Sequence, residues 1–208
     1  GVPTMAYTGQ TLHNPITGEH LTILETTVQT GGERLVFSCR VEPGKTPLAP
    51  HLHPHQEEHF TMLEGTLGVR IGHEVYTLLP GQELTLPARL VHQWWNPTGQ
   101  EVMFQVTVTP ARNLEATLEA ICGMAQAGVL TKQAMPRNPF RLAQFGRLSE
   151  TYLPVVPLWL QRVGLAMGAA LGRLLGYDPS FAPYRTLPAS APAQPSSAVE
   201  ATPEVALT

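Results

Sequence analysis

Clustered basic charge is missing from this chain. Its 13 Lys and Arg and 16 Asp and Glu are spread along 208 residues without a basic run, for a net charge of −3. Nothing there draws in a phosphate backbone, so nucleic acid is not expected as a partner. Cysteine is scarce too. Cys39 and Cys122 are the only two, and with neither metal-ligand spacing nor the density of a disulfide scaffold they read as packed thiols. The N-terminal stretch GVPTMAYTGQ has neither the positive charge nor the apolar core of a secretory signal, which makes the cytoplasm the expected compartment and Met5 a candidate native start. Long apolar runs are limited to one, from Val156 to Gly176, and it carries Arg162 and Arg173. A membrane span is not expected from a segment barely the length of the hydrocarbon core with two arginines inside it.

What is present, 43% hydrophobic residues, suffices for one full core and a small appendage rather than two large domains. From about Leu21 to Thr109 short β-branched and apolar runs are punctuated by Gly, Pro and Asn, the pattern of an all-β barrel or sandwich. Strands are expected at Leu21–Gln29, Arg34–Val41, Glu58–Leu63, Thr66–Ile71, Glu74–Leu79, Glu83–Leu86, His92–Trp95 and Val102–Thr109. Gly72-His73 has the form of a two-residue hairpin turn. After Pro110 the period becomes helical, through Leu114, Leu118, Ile121, Cys122 and Ala125, with Asn113 as N-cap and Gly128 as the stop. Further helices are expected over about 140–152 and 156–176. The chain thus divides into a lead-in (1–20), a barrel (21–110), a helical extension (111–177) and a Pro/Ala/Ser-rich tail (178–208), disordered from about Leu187.

The strongest chemical signal is HLHPHQEEHFTMLEG. His51 and His53 alternate, so on a strand both imidazoles point to one face and can meet one ion. Glu58 then opens the next strand in phase with Phe60 and Met62; Glu57 competes as ligand but has the opposite phase, which with His55 and His59 faces solvent or a neighbouring subunit. In GQELTLPARLVHQWWN, His92 begins a new strand and supplies a further ligand. Three neutral imidazoles and a carboxylate suit one divalent transition metal (Fe, Mn, Ni, Co or Zn) rather than calcium or magnesium. Trp94 shares the phase of His92 and either lines the cavity, where it stacks on a flat substrate, or packs as core. Gln105 interrupts an apolar alternation and faces solvent or bonds within the pocket, with Phe60 and Met62 as further candidate substrate contacts.

These two segments resemble the paired motifs of the cupin superfamily. The first motif's histidines fall on His51 and His53, its glutamate on Glu58 and its closing glycine on Gly65; the second motif's glycine, proline, histidine and asparagine fall on Gly81, Pro87, His92 and Asn96. Gly44 lies one residue further from His51 than the family pattern has it, and Arg89 stands where a glycine is usual. The resemblance covers about Gly18 to Pro110. It implies an all-β, cupin-type double-stranded β-helix (a jelly-roll barrel), here with a C-terminal α-helical extension, and a homodimer. It implies three kinds of function: a metal-dependent dioxygenase in which Glu58 doubles as proton acceptor, a non-redox isomerase or lyase, or a non-catalytic module that binds a small ligand or metal.

In the helix over 156–176, Gly164, Gly168, Gly172 and Gly176 recur every four residues and let another backbone approach. Packing against the barrel or a second subunit is the expected role, ahead of lying on a membrane surface.

Overall fold

The computed structural model describes residues 6–45 and 49–185. Met5 and the tail from Leu187 lie outside them. Nine strands come first: β1 Thr11–Asn14, β2 Glu19–Glu25, β3 Leu35–Val41, β4 Glu57–Glu64, β5 Leu67–Ile71, β6 Glu74–Leu78, β7 Glu83–Leu86, β8 His92–Trp95 and β9 Val102–Thr109. Six form an antiparallel sheet in the order β1-β2-β3-β9-β4-β7, and β6-β5-β8 form a second.

Alternation in the sequence decides which side chains go in. Along β9, Val102, Phe104, Val106 and Val108 are buried while Met103, Gln105 and Thr107 are not. Register aligns them with their neighbours, Cys39 and Met62 flanking Phe104, and Phe37 and Phe60 flanking Val106. Leu67, Val69 and Leu78 of the second sheet join the same core. Each such fully buried side chain contributes roughly 1.5–3 kcal/mol. Tight turns close the strands: Gly72 takes φ 59° between the paired residues Ile71 and Glu74. At Gly65, φ is 81° and a Cβ would come within 2.9 Å of the Glu101 carbonyl.

Among the described residues the fold is mixed rather than all-β, because four helices follow the strands: α1 Leu114–Gln126, α2 Pro139–Ser149, α3 Leu158–Leu174 and α4 Ala182–Arg185. The expected strand Leu21–Gln29 ends at Glu25, where Gln29 folds back so that its Oε1 accepts from the Thr26 amide at 2.9 Å. Asn113 precedes α1 but its side chain makes no capping bond, whereas Asn138 caps α2, accepting from the Phe140 and Arg141 amides.

Helix α1 serves two cores. Leu114 and Cys122 pack into the barrel, while Ala120 and Met124 join Leu130, Phe145 and Phe181 in a second, smaller cluster. Helix α3 lies against α2, where Gly168 meets Ala143 and Gly172 meets Phe140. Only Ala169 and Gly172 of α3 are buried. Half of the glycine stripe therefore serves the α2 contact, and Gly164 and Gly176 face open space.

Candidate metal centre and cavity

Two distant backbone segments meet at the site through a reciprocal pair of hydrogen bonds. The His51 amide donates to the His92 carbonyl at 3.0 Å and the His92 amide returns one to His51 at 2.8 Å. His51 and Leu52 therefore lie in isolated bridges rather than in the regular strand the alternation predicts, and the extended backbone still turns His51 and His53 inward. Leu52, between them, makes the same two-way exchange with Tyr152, beyond the end of α2, at 3.0 and 3.1 Å. The Arg89 amide donates to the His53 carbonyl at 2.8 Å from a left-handed backbone, φ 68°. Arginine thus occupies the conformation that the family pattern reserves for glycine.

His51, His53 and His92 are all buried, their ring centroids 4.6 to 5.5 Å apart, and one ligand atom from each lies within 4.8 Å of the others. Glu58, on β4, places Oε1 3.3 Å from His53 Nε2 and Oε2 3.8 Å from His92 Nε2. His51 Nδ1 sits 2.9 Å from the Ala49 carbonyl and His92 Nδ1 3.1 Å from that of Leu90. A carbonyl only accepts, so each Nδ1 carries the proton and each Nε2 presents a lone pair. His92 Nε2 and His53 Nδ1 are buried with no hydrogen-bond partner. Such an orphaned group costs about 1–3 kcal/mol, and a cation among the rings, on the Glu58 side, would relieve that of His92 Nε2.

The protonation states agree with that reading. Burial, followed by the neighbouring His92 and His53 rings, lowers His51 to about 4, and burial lowers His92 against the opposing pull of Glu58. Both are neutral at pH 7, as ligands must be. Burial pushes the Glu58 carboxyl up, but the His53 hydrogen bond and the three imidazoles outweigh it and hold it at about 2. The donor set fits one divalent transition metal, with three histidines as its core and Glu58 beside them.

A cavity of about 160 Å³ opens on this cluster. Trp94 and Phe60 line it, Trp94 edge-on to Phe104 at 5.3 Å. Two expected contacts do not. Met62 is core, and Gln105 lies on the outer face of β9, opposite Phe104 and Val106, because the pleat alternates without exception there. Glu57 is exposed, and His59 is turned outward to Thr85 and Glu83. Sequence reasoning missed the helical wall, in which Leu114, Leu118 and Ile121 of α1 and Phe145 of α2 close the cavity. It also missed Glu19, an inward carboxylate bonded to the Thr17 hydroxyl. Its phase with Leu21 and Ile23 was a readable signal.

Comparison with known proteins places residues 37–109 in the family described as Cupin domain. An RmlC-like cupin from Shewanella frigidimarina matches with a TM-score of 0.42 and 20% identity, over 52% of this chain and 91% of that one. A sugar phosphate isomerase from a cupin superfamily of Silicibacter pomeroyi matches with a TM-score of 0.41 and 26% identity, over 51% and 68%. A mannose-1-phosphate guanylyltransferase from Salmonella muenchen is 31% identical over 70 residues, 34% of this chain, which spans 15% of that relative's length.

Proposed function

With residues 37–109 forming a cupin domain, we propose that the protein is a metal-dependent oxygenase of a small, largely apolar ring compound. The observation that carries this is the lining of the cavity. Among the described residues no Lys or Arg lines it, and its walls are mostly apolar, among them Leu21, Phe37, Phe104, Val106, Leu118 and Phe145. A phosphorylated sugar, the class named for the Silicibacter pomeroyi protein, would find no basic side chain in the lining to pair with its phosphate beyond the metal ion itself. A cavity of about 150 Å³ accommodates a benzene ring, so at about 160 Å³ a catechol or a small diketone fits better than a flavonol.

A transition-metal ion held by His51, His53 and His92 supplies a Lewis acid and an electron reservoir. The chain supplies the rest. Trp94 and Phe60 orient the ring, Glu58, held ionised, accepts a hydrogen bond from the substrate hydroxyl, and α1 and α2 keep water out.

Elemental analysis of the purified protein combined with oxygen uptake tests the reading. Iron or manganese and catechol-dependent uptake are expected; zinc with no uptake would replace it with the isomerase or ligand-binding alternatives. His53→Ala should lose most of the bound metal with the fold intact, since it removes one of the three clustered imidazoles; unchanged metal content would overturn the ligand assignment.

A further inference from the structure

The outward face of α3 belongs to neither core. Trp159, Val163, Met167, Leu171 and Leu174 fall within an arc of about 120° on a helix of 3.6 residues per turn, and Trp159, Met167 and Leu174 are 67%, 69% and 84% exposed. Gly168 and Gly172, on the other side, are the face that meets α2. A contiguous apolar stripe of this size on a surface marks something that covers it.

Charge says what. The chain has no basic run, yet its charge is unevenly divided. Residues 131–185 hold seven Lys or Arg against Glu150 and Asp178, a net of +5, while residues 1–130 hold six against twelve, a net of −6. Neither acid lies on α3: Glu150 is paired with Arg112, and Asp178 bonds to Ser180. The helix itself carries Arg162 and Arg173 and no acid, both on one flank of the apolar arc at 100° per residue, and Arg147 of α2 shares a groove with Arg173. A second copy docked face to face would bring two such cationic surfaces together. An anionic lipid surface instead complements both properties, taking the apolar arc into its acyl boundary while the arginine stems extend to the phosphates. Among the described residues no helix is long and apolar enough to cross a membrane.

We propose that α3 is an in-plane anchor that docks the protein on anionic membranes, with Trp159, Val163, Met167, Leu171 and Leu174 inserted and Arg162 and Arg173 at the headgroups. This stands apart from the oxygenase reading, since none of these residues touches the cavity. The test is flotation of the full chain with vesicles of phosphatidylcholine alone and of phosphatidylcholine mixed with phosphatidylglycerol, at low and high salt. Binding to the mixed vesicles only, weakened by salt, is expected. Val163→Glu with Met167→Glu should abolish it while circular dichroism stays unchanged, because both positions are exposed. Arg162→Gln and Arg173→Gln should each lower the partition coefficient about fivefold. Failure to float with either vesicle overturns the proposal, and a dimer by light scattering that Val163→Glu with Met167→Glu dissociates would assign the face to a second copy instead.

Discussion

Arg89 combines two opposed effects in one side chain. Its left-handed backbone, φ 68°, costs a non-glycine residue about 1–2 kcal/mol, and its Nε reaches back to the Pro54 carbonyl at 3.4 Å, next to His53 of the histidine cluster. Arg89→Ala removes only the guanidinium; Arg89→Gly removes that and the backbone strain, at the cost of a more flexible unfolded chain. The glycine variant should therefore be the more stable of the two by roughly 0.5–1 kcal/mol in urea unfolding. Equal stabilities would show that the backbone is not held left-handed there. Glu19 makes a prediction in pH. Burial raises its carboxyl above the ordinary 4.5, with the Thr17 hydroxyl opposing in part. A carboxyl raised in the folded state contributes stability that is present below 4.5 and is lost as pH climbs through the folded value. Glu19→Gln does not titrate, so it should gain on the wild type as pH rises above 4.5 and match it below. Unfolding free energies measured on both sides of that value check this, and a difference that does not change with pH would refute it.

At the level of elements, what could be read from the sequence was what local pattern controls. β9 was legible because Phe104, Val106 and Val108 alternate with polar residues, and the same alternation consigns Gln105 to the outside, against its place among the candidate substrate contacts. β1 was not legible, since Thr11–Asn14 contains a single large apolar residue and is held by pairing with β2. Two asparagines precede helices, yet only Asn138, extended at φ −80°, ψ 125°, turns its side chain over the first amides. Asn113, at φ −97°, ψ 11°, does not. The residue type proposes a cap and the backbone entering the helix decides it. His51 and His53 were legible from their alternation, and His92 from the second segment that resembles the paired motif. The helical wall was not, because a helical period in 114–125 reveals an apolar face without saying which surface it will meet. Likewise, no pattern in the sequence connects Leu52 with Tyr152 across one hundred residues.

That Leu52–Tyr152 exchange joins barrel and extension through a reciprocal pair of backbone hydrogen bonds. The segment carrying His51 and His53 is clamped on one side by His92 and on the other by Tyr152, and Ala111, Leu114 and Cys122 share a core with Phe60 and Phe104. If these contacts bind the two parts, a ligand for the barrel must stabilise the helices equally. A metal ion at a hundred times its dissociation constant adds about 2.7 kcal/mol to the folded state, which for a domain of this size raises the unfolding midpoint by roughly 5–10 °C. The helical far-ultraviolet signal, dominated by α1, α2 and α3, should move up by that whole amount when metal is added, in a single transition. Stripping the metal with a chelator should reverse it. Helices that melt at the same temperature with and without metal would mean that the extension folds by itself, and that its wall of the cavity is only apposed to the metal centre rather than built with it.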